Sequence, residues 1–240
     1  MTYLFLQGRS PSLRRPPLPI NHVCRPALNP FDLGVDDRLS TFPKGVEQVL
    51  INRAVSREVA HGFIQLMRDY EKRARAVRAS FALNPSPGNM RDGLLTDAMK
   101  SAGAAKKGGT SPVTSALDYP EYSTQPGLNL QCTPGNDVEC VTAQVGAGAS
   151  VVLFTTGLGT PTGNPIAPVV KLSTNTALAQ RMADIIDIDT GPIISGQASI
   201  EQTGEKILDF LVRVASGEAR TKAELNSQED FIPWKRGVSL

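Results

Sequence analysis

Apolar residues recur along this chain with two different rhythms. From Gly45 to about Ser80, Val46, Val49, Leu50, Val59, Phe63, Ile64 and Met67 return at steps of three and four, the spacing of one helix face. Ser56 offers a capping oxygen for a second helical segment whose first turn carries Val59. Shorter, strand-like runs follow, around Leu128 to Leu130, from Val151 to Phe154 and from Ile166 to Leu172. One helix-length segment separates the first two. Thr174 or Asn175 caps a short helix reaching Met182, and Ile185 to Asp189 alternates apolar and acidic positions as a strand end does. Ser199 then opens a long amphipathic helix with Ile200, Ile207, Leu208, Leu211, Val212 and Ala215 as its stripe, stopped by Gly217.

Strands alternating with helices predict an α/β fold: a mostly parallel, Rossmann-like sheet flanked by helices, with right-handed crossovers. Residues 1–43 break the pattern. Arg14-Arg15-Pro16-Pro17-Leu18-Pro19, Arg25-Pro26 and Asn29-Pro30 interrupt any regular element, so this stretch is expected to be a disordered or extended lead-in to a domain at 44–240. A basic proline stretch of this kind can also serve as a docking peptide. Asn84 to Asn89 packs two prolines and a glycine into six residues and is expected to form a rigid loop. Thr96 or Asp97 caps a short helix through Lys100 toward Gly103, with Lys106 and Lys107 at its negative end.

Two glycine-rich turns close strand-like runs: Gly127 to Asp137, and Gly157 to Pro165 after Val151–Thr156. In open α/β sheets such turns, at the carboxyl ends of strands, are where ligands bind, and their amides favour an anion. The second turn is rich in hydroxyls (Thr155, Thr156, Thr160, Thr162), which with the amides of Gly157 and Gly159 suit a polyol carboxylate. Without that role it is a plain structural turn. Gly157-Leu158-Gly159 lacks the third glycine of a dinucleotide fingerprint, and no Walker pattern or serine elbow is present. Asn136 and Asp137 stand at a helix start. Asp137 is there either the helix cap or an oxygen donor acting as metal ligand or base. Asn84, Ser86 and Asn89 on the proline-braced turn are candidate polar contacts. Lys100 is a solvated helix residue or the cation that neutralises a substrate carboxylate or developing enolate. His61, near an apolar helix face, is expected to pack.

Composition narrows the classes. The 240 residues carry 40% hydrophobic positions, enough for one sizeable core. The net charge of +2, and Asp69 and Glu71 interleaved among the arginines of 68–78, argue against nucleic acid, as do aromatics at 5%. Three cysteines without a CxxC favour reduced, packing thiols and a cytoplasmic setting over a disulfide framework. No apolar run is long enough for a bilayer, and the apolar start Tyr3 to Leu6 is too short for a signal-peptide core.

Several motifs in fixed order then carry a resemblance. Asn84-Pro85-Ser86-Pro87-Gly88-Asn89, Gly108 to Pro112, Leu117-Asp118-Tyr119, Pro126 to Leu130, Pro134-Gly135-Asn136-Asp137 and Leu153 to Pro161 closely resemble the altronate dehydratase family, which also holds galactarate dehydratase and sulfolactate sulfo-lyase. The ending Asp230 to Leu240 looks like its altronate branch. The resemblance runs from about Gly45 to the end. It implies a hydro-lyase that removes water from a sugar acid in hexuronate breakdown, giving a 2-keto-3-deoxy acid, with iron(II) or sometimes manganese as cofactor. It also implies a C-terminal piece. Family members are longer, so the partners expected are the N-terminal and middle domains, or a subunit carrying them, with a homo-oligomer open. Where many members have Glu-Glu-Lys this chain has Ala98-Met99-Lys100, which removes two carboxylates from the possible ligands.

Overall fold

The computed structural model describes residues 2–7, 21–24, 46–78, 87–91, 99, 102, 105–106 and 108–234. The fold is α/β with parallel strand pairs, as the alternation implies, but the strands divide between two small sheets. One is five-stranded, in the order β2 (Asn21–Cys24), β1 (Thr2–Gln7), β5 (Val151–Thr156), β6 (Val169–Ser173), β7 (Ile188–Asp189). β5, β6 and β7 run parallel, and β1 is antiparallel to both β2 and β5. The other sheet is the parallel pair β3 (Val113–Leu117) and β4 (Leu128–Gln131). Two stretches of the lead-in thus contribute extended strands; the remainder of 1–43 lies outside the described residues.

The helical stretch after Gly45 divides into α1 (Val46–Ile51) and α2 (Arg57–Ala76). The Ser56 side chain accepts from the Val59 amide and starts α2. Phe63, Met67, Tyr70 and Ala74 return on one face at helical spacing and are buried. Phe63 and Met67 pack with Leu50 against Val113, Leu128 and Leu130 of the small sheet. His61 is exposed, so it does not pack as its neighbours' periodicity implied. The loop expected across Asn84–Asn89 also needs correction: α3 (Pro87–Arg91) is helical. Proline is compatible there because the first helical residue needs no amide hydrogen bond.

α4 (Asp137–Gly146) is the hinge of the packing. Every residue from Glu139 to Gln144 is buried, the mark of a helix covered on all sides. Its Cys140 and Val141 meet Val152, Phe154 and Val169 on one face of the larger sheet. Val151, Leu153, Val170 and Leu172 point to the other face, against Leu211 and Val214 of α7 (Ile200–Ala215). That inversion between successive residues is the pleat of a strand buried on both sides. α5 (Thr176–Arg181) is capped by Asn175, as read from the sequence, and α7 by a Ser199–Gln202 capping box. α6 (Gly191–Ile194) and α8 (Lys222–Leu225) are single turns beside the sheet's last strand. The strand-like run expected from Ile166 begins as β6 only at Val169, because the Asn164 side-chain oxygen Oδ1 accepts the amides of Ile166 and Ala167 and keeps that stretch in the turn.

On the other side of α4, Ala143 packs with Tyr70, Ala74, Tyr119, Cys132 and Trp234. Trp234 lies 5.3 Å, centroid to centroid, from both Tyr70 and Tyr119, edge-on to the latter. The Tyr119 hydroxyl accepts from the Trp234 amide at 2.7 Å and donates to the Glu139 carbonyl at 3.4 Å. Burial raises the affinity of both tyrosine hydroxyls for their protons. Tyr119→Phe leaves that buried amide without its acceptor. It is expected to cost about 1–3 kcal/mol, read as a lower urea midpoint with unchanged slope in a titration followed by the emission of Trp234, the single tryptophan.

Candidate functional site

The two glycine-rich turns follow β4 and β5, at the carboxyl ends of parallel strands. Asn129 within β4 holds the entry to that strand: its amide donates to the Gln125 and Gly127 carbonyls at 3.0 Å each, and its oxygen meets the Ser115 hydroxyl of β3. Beyond β4, at the end of the first turn, Asn136, not Asp137, is the cap of α4. Its side-chain oxygen accepts from the amides of Val138 at 3.1 Å and Glu139 at 3.4 Å. Asp137 is the first helical residue and is half-buried. Two amides that would meet an anion at this helix start are therefore engaged by Asn136 itself. The nearby thiols pack as expected. Cys132 and Cys140 are buried thiols, and Cys140 Sγ accepts from Thr133 Oγ1 and Gln144 Nε2, each at 3.3 Å.

The second turn is held more tightly. Thr156 Oγ1 accepts from the Gly159 amide at 2.9 Å, so this buried hydroxyl closes the turn. Thr160 and Thr162 are buried and share a hydrogen bond at 2.9 Å. Gly157 and Leu158 are exposed, and the Gly157 carbonyl accepts from Asn175 Nδ2. Thr155 is half-buried within β5. Gly159 has φ of +91°, and a β-carbon there would stand 2.2 Å from Met182 Sδ. The turn thus requires glycine for backbone shape and for room. Of the four residues Thr155, Thr156, Gly157 and Thr160, only Gly157 presents an open face.

Beneath this turn lies the group that sequence reasoning missed. Lys171 of β6 is fully buried. Its ammonium donates to the carbonyls of Thr162 at 2.7 Å and Pro161 at 3.2 Å. Its own amide donates to Asp187 Oδ2, whose other oxygen accepts the Lys222 amide, both at 2.7 Å. Desolvation lowers the Lys171 pKa to about 8, against the opposing attraction of Asp187 and Asp230. Desolvation raises that of Asp187, offset by the two amides and two lysines. The signal was a lone lysine inside the apolar run Val169-Val170-Lys171-Leu172. A charge at such a position must find partners when buried.

The other predicted site residues give less. Asn84, Ser86 and Lys100 lie outside the described residues, and Asn89 falls within α3 with its side chain undescribed. Among the described residues no three His, Cys, Asp or Glu side chains gather as a metal ion would require. Iron(II) or manganese therefore does not fit the described part alone, and no chemical step is derived through it. No helix among the described residues is long and apolar enough to cross a membrane.

Ordered turns at strand ends are where ligands bind in α/β folds, and comparison with known proteins gives the family. The pattern of the family described as D-galactarate/Altronate dehydratase, C-terminal, matches residues 41–239, and the chain belongs to that family. Galactarate dehydratase (L-threo-forming) of Escherichia coli K12 is 38% identical over 173 residues, covering 72% of this chain and 33% of that protein. Altronate dehydratase of Bacillus subtilis 168 is 36% identical over 196 residues, covering 82% and 39%. The (2R)-sulfolactate sulfo-lyase subunit beta of Chromohalobacter salexigens is 33% identical over 149 residues, covering 62% and 38%. The chain spans between 33% and 39% of the length of these relatives.

The buried lysine has a pH signature. The unfolded chain holds the Lys171 proton up to its ordinary value of 10.5, the folded chain only to about 8. Below about 8 both states are charged and the burial penalty is complete; between the two values rising pH favours the folded state. From pH 7.5 to 9.5 the slope of the urea midpoint against pH is expected to be more positive in the native chain than in Lys171→Met, because the other groups that ionise there, the cysteine thiols among them, are common to both. Equal slopes in the two proteins would contradict it.

Proposed function

We propose that this chain is the C-terminal domain of a hydro-lyase acting on D-altronate, giving 2-keto-3-deoxy-D-gluconate and water. The observation that carries the reading is the similarity to altronate dehydratases. It extends over 196 residues, against 173 for galactarate dehydratase and 149 for the sulfo-lyase subunit. In this reaction the proton beside the carboxylate is removed, the 3-hydroxyl departs as water, and the resulting enol becomes the 2-keto acid. A positive group must meet the enediolate charge, the role we give Lys100. Asp137 and Asn136 complete the catalytic set at the start of α4. Asn84, Ser86 and Asn89 contact the hydroxyls and carboxylate of the sugar acid together with the open backbone at Gly157, while Thr155, Thr156, Gly159 and Thr160 shape the turn that presents it. The iron(II) expected from the family, with manganese as substitute, would take its ligands outside the described residues.

Because the chain spans at most 39% of its curated relatives, the remaining domains belong to the proposal as partners, on the same polypeptide or on a second one. One relative is itself named as a subunit, which supports a divided arrangement. The 240-residue chain mixed with the N-terminal portion of an altronate dehydratase and iron(II) should convert D-altronate to a 2-keto acid. Turnover should exceed that of galactarate or sulfolactate by about 10-fold or more, the scale on which polar pockets reject a misfitting analogue. Preference for galactarate would move the assignment to that branch. Altronate binding by calorimetry without turnover would make the chain a binding or assembly subunit, and neither binding nor turnover would end the sugar-acid reading.

A further inference from the structure

After α8 the chain crosses the molecule as a short segment, Gln228–Trp234, whose alternate residues engage different parts of the fold. At Gly163 a β-carbon would stand 2.0 Å from the Gln228 carbonyl oxygen, so the segment lies directly on the backbone of the turn after β5. Asp230 Oδ2 accepts the Gly163 amide at 3.2 Å, and the Asp230 carbonyl accepts Asn164 Nδ2 at 3.5 Å. Two residues on, the Ile232 amide donates to Thr142 Oγ1 of α4 at 3.1 Å. Two further, Trp234 reaches Tyr119 beyond β3 and Tyr70 of α2. Four residues extend at most about 14 Å. The turn after β5, the helix that begins at the turn after β4, and the small sheet are thereby joined within that reach. Lys171 holds the same turn from below, through the carbonyls of Pro161 and Thr162.

We infer that Gln228–Trp234 is a strap that fixes the turn after β5 relative to the β4–α4 turn, with Asp230 the positioning residue at one end and Trp234 the anchor at the other. The functional part of this inference rests on reading the two turns as the sugar-acid site. It adds the device that keeps them in register. The middle of the strap is not core: Phe231 and Ile232 are about half exposed, at 52% and 48%, whereas Trp234 at its far end is buried in the cluster with Tyr70 and Tyr119. Its effect is therefore to couple the turn after β5 to that cluster.

Hydrogen exchange on the 240-residue chain tests the coupling directly. Trp234→Ala should accelerate exchange across residues 157–164 by about 10-fold beyond any change in α7, the effect of losing about 1.4 kcal/mol of local protection. Asp230→Ala should do the same. Asp230→Asn, whose amide oxygen still accepts the Gly163 amide, should restore slow exchange. Exchange in α7 reports global stability: it should not change in Asp230→Ala, and in Trp234→Ala, which empties a buried site, it should rise less than at 157–164. Unaltered exchange at 157–164 in Trp234→Ala, or equal acceleration there and in α7 for both alanine variants, overturns the strap. Calorimetry with D-altronate separates this from the functional reading. A loss of affinity of about 10-fold in Asp230→Ala, restored in Asp230→Asn, supports both, whereas native affinity in Asp230→Ala overturns the positioning role. Absence of binding by the unaltered chain counts against the sugar-acid reading alone, and the exchange result then decides the strap.

Discussion

The ammonium of Lys171 must find hydrogen-bond acceptors in a place without water, and the architecture around β6 answers that need. A lysine buried in a strand between two parallel neighbours is costly unless its donors are satisfied. The carbonyls of Pro161 and Thr162 turn inward to satisfy them, and this sets the path of the turn after β5. With those carbonyls turned in, Thr160 and Thr162 bond to each other and Gly163 presents its amide to Asp230. Asp187 supplies balancing charge while tying the backbone of β6 to the start of α8. One buried charge thus organises a loop, a neighbouring strand and the approach of the C-terminal segment.

α4 plays the complementary part on the apolar side. It is covered by the larger sheet on one face and by the Tyr70, Tyr119 and Trp234 cluster on another. It therefore transmits position between two sheets that share no strand. The helix begins at Asn136, so the placement of the first glycine-rich turn follows from how α4 is packed rather than from the turn's own residues. Both turns are rigid for reasons located elsewhere, which is what a preorganised binding site requires.

The motifs that carry the resemblance to sugar-acid dehydratases lie within the family match at residues 41–239, and the structure gives them unequal duties. In the turn after β5 most hydroxyls face inward and serve the turn itself, leaving the exposed backbone at Gly157 and Leu158 as the surface available to a ligand. Gly159 and Gly163 are glycine because Met182 and the Gln228 backbone occupy the space a β-carbon would need. Motif residues of this kind specify the shape of a site, which is a different matter from touching its substrate.

The chain's own pattern was enough to determine the local elements. Ser56, Asn175 and Ser199 are caps by virtue of a side-chain oxygen next to unpaired helix amides, a short-range effect visible in any sequence. The helical faces of α2 and α7, and the α/β class itself, follow from periodicity that neighbouring residues impose on one another. Tertiary structure alone decided the rest. Division of the strands into two sheets depends on which distant runs pair. So does the exposure of His61. Contacts between positions far apart in the chain close the fold: Gly163 with Asp230, Thr142 with Ile232, Tyr119 with Trp234. Periodicity carries information over a few residues, whereas the partner of a buried charge or a bare amide is chosen by the closed fold.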